Sequence, residues 1–200
     1  RLANPLLDFS GLPRFSEIRP EHVAPAIDQL LADARAVLKR ADAAPATWDD
    51  FIAPLEDATE RLGRAWGQVS HLHAVMDAPP LREAYNANLP KVTRFWTELG
   101  QNTLRFEKYK ALAGSPEYAR LSAARQRIVA LRLTDFRLSG AELAETSKPR
   151  FAQIQEELAR IAARFSENLL DATNGFSLYV DERRISGIPG DVLAAAREAA

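Results

Sequence analysis

Cysteine is absent from this 200-residue chain. That absence excludes a disulfide framework, a thiolate metal site and a cysteine nucleophile together, and it fits a reducing compartment. Glycine is sparse at 9 and histidine scarcer still at 3. The Gly-x-Gly-x-x-Gly and Walker loops of nucleotide binding are missing, as is the Gly-x-Ser-x-Gly elbow of a serine hydrolase. No stretch approaches the roughly 18–20 uninterrupted apolar residues of a membrane span. The opening Arg1-Leu2-Ala3-Asn4-Pro5 lacks the apolar core of a secretion signal. An excess of either charge is also missing: Lys and Arg total 26 against 27 Asp and Glu, with no basic run. Without a basic stripe there is no electrostatic footprint for nucleic acid. The expectation is a cytoplasmic protein with neither a nucleic-acid nor a membrane partner. The missing initiator methionine, and a last residue that falls inside the alanine-rich pattern Arg197-Glu198-Ala199-Ala200, suggest part of a longer polypeptide.

What the chain does contain is helical periodicity. At 46% hydrophobic and 26% charged residues it has the balance of a folded globular protein, and a chain of this size buries roughly 70% of its unfolded surface. Pro20 suits the first position of a helix, and Val23, Ile27, Leu30, Ala34 and Val37 then recur at spacings of three and four. Thr47-Trp48-Asp49-Asp50 resembles a capping box with a shortened acid. Its helix carries Phe51, Leu55, Ala58, Leu62, Ala65, Val69, Leu72 and Met76 as a near-heptad seam. Pro79-Pro80 opens a third helix through Leu81, Tyr85, Leu89, Val92, Trp96, Leu99 and Phe106, which Pro90 must kink or interrupt. Ser115-Pro116 starts a fourth that runs to Leu138, where Ser139-Gly140 is a stop. The fifth, from near Ser147, has the plainest seam: Phe151, Ile154, Leu158, Ile161, Phe165 and Leu169.

After Gly175 the period changes to two, with Phe176, Leu178 and Val180 alternating with Ser177, Tyr179 and Asp181. A lone strand has no hydrogen-bonding partner, so either a short hairpin forms through Ile185 or the partner lies beyond residue 200. A last helix starts at Pro189 or Gly190. The predicted fold is mainly α: an antiparallel bundle of about five long helices with a short β element near the C-terminal end. Its expected division is a helical N-terminal domain over 1–175, then a strand or hairpin and helix over 176–200.

Few residues recommend themselves for chemistry. His71 and His73 are two positions apart, roughly 200° around a helix, whereas paired helical zinc ligands need a spacing of four. Glu21-His22 reads as a helix-start capping feature. Asp49-Asp50 and Glu156-Glu157 fit a helix start and a solvated face better than acid–base catalysis. Trp48, Trp66 and Trp96 read as core or interface anchors. No catalytic, cofactor-binding or metal-ligating residue is assigned.

Particular strings carry a resemblance. Asn4-Pro5-Leu6-Leu7, Phe15-Ser16-Glu17-Ile18, Pro20-Glu21-His22-Val23-Ala24-Pro25-Ala26-Ile27, Val69-Ser70-His71-Leu72 and Leu81-Arg82-Glu83-Ala84-Tyr85 open the series. Asp135-Phe136-Arg137-Leu138-Ser139-Gly140, the stretch from Phe165 to Thr173, and Gly187-Ile188-Pro189 continue it in the same order. Together they resemble the N-terminal region of the oligopeptidase A and thimet oligopeptidase family. The resemblance implies a zinc metalloendopeptidase that degrades oligopeptides in a channel between two lobes. Its signature, His-Glu-x-x-His plus a later glutamate, does not occur here, so no catalytic or zinc-binding role transfers to any residue of this chain. The implied parent is an enzyme holding zinc, and this stretch is expected to be inactive by itself, to bind no zinc, and to form one channel wall beside the absent catalytic domain. His71, His73 and Tyr85 are candidates to line that wall. The alternative reading is a free-standing helical scaffold or partner-binding module.

Overall fold

The computed structural model describes residues 4–76 and 78–199. Its described residues form eight α-helices and no strand: α1 Pro20–Ala43, α2 Ala53–Val75, α3 Pro79–Gly100, α4 Thr103–Ala113, α5 Pro116–Arg120, α6 Ala123–Leu138, α7 Lys148–Gly175 and α8 Gly190–Ala199. Residues up to Ala163 make one compact unit and those from Arg164 a second.

In the first unit α1 packs against both α2 and α3, and α4 packs against α6. The predicted stripe on α1 is buried at Val23, Ile27, Leu30 and Ala34, and Leu55, Leu62, Ala65 and Val69 of α2 are buried as well. Phe51, Ile52, Phe95, Phe106, Leu112 and Val129 extend the same core. Asn4 closes the N-terminal lead onto α1: its Oδ1 accepts from Leu6 N–H at 3.0 Å and its Nδ2 donates to His22 O at 2.8 Å.

Helix ends follow local chemistry. His22 Nδ1 accepts from Arg19 N–H at 3.1 Å, so Glu21-His22 does cap α1. Thr47 Oγ1 accepts from Asp50 N–H at 3.1 Å, opening a π-helical turn, Trp48–Ile52, that leads into α2. At the other end of α1, which lacks a glycine stop, Lys108 Nζ of α4 donates to the carbonyls of Ala41, Asp42 and Ala44. A cation there satisfies free carbonyls and complements the negative end of the helix dipole. α6 ends in a full Schellman motif: Gly140 N–H donates to Arg137 O at 3.1 Å and Ala141 N–H to Phe136 O at 2.9 Å. The turn requires the left-handed φ of 86° that Gly140 adopts.

Three expectations are corrected and one is narrowed. The third helix does not reach Phe106, because Asn102 starts α4 by accepting from Arg105 N–H at 2.9 Å. The fourth is divided at Leu121-Ser122, where Gln126 Nε2 bonds the carbonyls of Tyr118 and Leu121 and Ser122 caps α6. Of the two outcomes expected at Pro90, interruption does not occur, since α3 continues past it: burial of Leu81, Val92 and Phe95 on that helix outweighs the roughly 3 kcal/mol that an internal proline costs. The short β element is not seen: residues 176–181 belong to neither a helix nor a strand. The described residues offer these residues no second strand, and the hairpin through Ile185 is replaced by a 3-10 turn at Glu182–Arg184 and a turn in which Ile188 N–H donates to Ile185 O.

α7 also departs from its expected place in a bundle core. Its only buried residue is Lys148, whose Nζ bonds Gln101 O, Thr103 Oγ1 and Glu145 Oε1. Ile154, Leu158 and Ile161 remain exposed. Leu62→Ala in α2 should therefore cost about 2–5 kcal/mol in urea unfolding. Leu158→Ala should shift the same transition by no more than about 0.5 kcal/mol.

Candidate functional site

The first unit contains a cavity of about 380 Å³ with residues of α2, α3, α4, α6 and the start of α7 on its walls. Trp96, Leu99, Phe136 and Phe151 supply apolar surface, and Glu56 and Arg132 a charged edge. Arg132 makes a bidentate pair with Glu56, Nε to Oε1 at 2.7 Å and Nη2 to Oε2 at 2.6 Å, and also approaches Asp135 at 3.5 Å. The hydrogen bonds it donates to Glu56 hold the Arg132 guanidinium still more firmly protonated than usual.

Tyr109 lies behind this pair, its Oη donating to Glu56 Oε1 at 3.4 Å. Its ring meets Phe51 edge-on with centroids 5.2 Å apart and Phe136 at 5.4 Å. Burial first, and the Glu56 charge second, push the phenol well above its ordinary value of 10.0. At neutral pH it is therefore a neutral donor and cannot serve as a base. Arg105, another lining residue, is held by Asp42 through bonds of 2.8 Å at Nε and Nη2. Each guanidinium is matched by a carboxylate, so the geometry provides a shaped, electrically balanced hollow and no activated nucleophile.

The histidines are distributed among structural tasks. His22 caps α1. His71 rests against Phe15 with ring centroids 5.2 Å apart. His73 is buried and stacked on Tyr85 at 4.1 Å, with Trp66 stacked on the same tyrosine at 4.8 Å. The structure thus brings His73 and Tyr85 together but as packed rings, with His71 on a different contact. No group of three His, Cys, Asp or Glu side chains among the described residues could hold a metal ion, so this donor set does not fit zinc. No described helix is long and apolar enough to cross a membrane. Of the tryptophans, Trp48 is buried beneath the Arg125 guanidinium at 4.8 Å, and Trp96 faces the cavity. The carboxylate pairs divide: Asp49 and Asp50 are exposed at a helix start, Glu156 pairs with Arg94 at 3.0 Å, and Glu157 with Arg160 at 3.2 Å. Sequence reasoning did not find the Glu56–Arg132 pair, whose partners are 76 positions apart.

The sequence of this helical unit is similar to a known family. Residues 27–148 match the family model of the neurolysin/thimet oligopeptidase N-terminal domain, and the chain belongs to that family. Among individual proteins it is 39% identical over 201 residues to oligopeptidase A of Haemophilus influenzae, covering 100% of this chain and 30% of that protein. It is 39% identical over 199 residues to oligopeptidase A of Escherichia coli, covering 98% of this chain and 29% of the relative. A probable cytosolic oligopeptidase A of Arabidopsis thaliana is 36% identical over 200 residues, 99% of this chain and 28% of the relative. The chain therefore spans about 30% of the length of the curated relatives it matches.

Two measurements check the polar cluster. Unfolded chains lose the tyrosine proton near 10.0 while the folded protein retains it to higher pH. Stability from Tyr109 is thus full below pH 10 and falls as pH rises above it, and Tyr109→Phe should flatten that alkaline decline in denaturant titrations. Arg132→Met should cost about 1–2 kcal/mol, between the exposed and buried limits for an ion pair. Adding Glu56→Gln should recover most of that loss in a double-mutant cycle.

Proposed function

We propose that this chain is the N-terminal, channel-forming part of a zinc metalloendopeptidase that degrades oligopeptides. The carrying observation is 39% identity to oligopeptidase A along the whole of this chain, which accounts for only 30% of the relative. On this reading the helical domain over 1–175 forms one wall of an enclosure, and residues 176–200 lead into the catalytic domain. Zinc is held by residues of that domain, and the partners of this stretch are the catalytic domain and the oligopeptides that enter between them. The parent acts in the cytoplasm. A narrow enclosure admits flexible peptides and rejects folded proteins, whose unfolding costs about 5–15 kcal/mol.

The contribution of these residues to the reaction is steric and electrostatic. Matched ion pairs such as Glu56–Arg132 and Arg105–Asp42 hold the helices in place without presenting an unpaired charge to trap a charged peptide. The chain by itself should give no turnover of a fluorogenic oligopeptide, with or without added zinc or chelator. The coding region should continue past Ala200 into a His-Glu-x-x-His motif. Zinc-dependent cleavage by this chain alone would refute the reading, and a natural stop codon near Ala200 would favour the helical scaffold instead.

A further inference from the structure

The hollow of about 380 Å³ belongs wholly to the first unit, because every residue on its wall precedes Ala163. Leu138 on that wall is 75% exposed, so the hollow opens to the surface. Flat side chains dominate its apolar part: Trp96, Phe136 and Phe151. A dry cavity of about 150 Å³ already admits benzene, so this one has room for two fused rings. Its polar part is spent on ion pairs except at one point. Arg132 donates from Nε and Nη2 to Glu56, and its Nη1 approaches Asp135. Arg105 donates from Nε and Nη2 to Asp42, and its Nη1 donates to no other described residue although Arg105 is only 8% exposed. A buried donor left over in this way calls for an acceptor. The smaller hollow that Arg105 also borders, about 270 Å³, has Arg35, Lys39, Asp42 and Glu98 on its wall and suits water better than a ring.

We propose that this hollow is a binding site for a small neutral aromatic molecule carrying one oxygen acceptor, with its rings against Trp96, Phe136 and Phe151 and its oxygen at Arg105 Nη1. Apolar walls with a few convergent polar groups are the usual make-up of a small-molecule site of this size. Charge selects the class. Glu56 and Asp135 on the wall, with Asp42 behind Arg105, already match the two guanidinium groups. A ligand anion would therefore surrender its hydration without a spare cation to meet it, and a ligand cation would find no spare carboxylate. Shape selects aromatic rings over a flexible chain, because ring pairs gain attraction beyond the area they bury.

Titration of 2-naphthol into the gene product at its natural length, followed by saturation-transfer NMR, tests this. Saturable binding is expected with a Kd on the order of 0.1–1 mM, as suits a ligand of about eleven non-hydrogen atoms. 2-Naphthoate, which carries the same rings and a charge, should bind about 10-fold more weakly or worse. Gln155→Trp on α7 and Leu138→Trp on α6 each place an indole at the hollow. Either variant, once its thermal melt is shown to match the parent, should weaken 2-naphthol about 10-fold or more. No saturable binding, undiminished binding by a folded variant, or tighter binding of 2-naphthoate overturns the inference. Binding to the 200-residue chain that disappears at natural length shows that further polypeptide fills the hollow, and overturns it as well. Peptide cleavage is not a readout here, so loss of the peptidase reading leaves the site standing.

Discussion

The first unit depends on covering α1 from two directions. Its stripe of Val23, Ile27, Leu30 and Ala34 has α2 and α3 as neighbours, and most of the remaining arrangement follows from that demand. Because α3 must present Leu81, Val92 and Phe95 to the shared core, it remains helical through Pro90. Because α1 ends without a glycine, a lysine from α4 reaches back to its last carbonyls and ties α4 to α1. Aromatic contacts complete that junction: Phe51 precedes α2, Tyr109 and Phe106 belong to α4, and Phe136 to α6.

Much of this was legible in the residues. The periodic seams of α1 and α2, the Ser115-Pro116 start and the Ser139-Gly140 stop each have a mechanism confined to a few neighbouring positions, so sequence alone exposes them. The breaks at Asn102 and Ser122 were not legible, since each depends on one polar side chain embedded in an apolar rhythm that otherwise continues. In α7 the seam itself was read correctly and its partner was not. Periodicity identifies a face that ought to be covered and says nothing about what covers it. The alternation over 176–181 misled for a related reason: a strand is defined by pairing, and pairing is not a property of one segment.

The cavity was the least legible feature. Glu56 and Arg132 belong to different helices, and their bidentate geometry arises only when α2 and α6 are brought together. Tyr109 adds a neutral hydroxyl behind the pair, and Asp42 neutralises Arg105. Such balance suits a structural wall. It provides rigidity and a defined hollow.

Gly100 gives this architecture a physical gauge. A methyl group at that position would collide with the Ser139 side chain, and both residues lie on the cavity wall. The absence of one carbon atom thus sets how closely the end of α3 approaches the end of α6. Replacing that hydrogen would act as a wedge, spreading the two helices and altering the width of the hollow without touching any of its ion pairs.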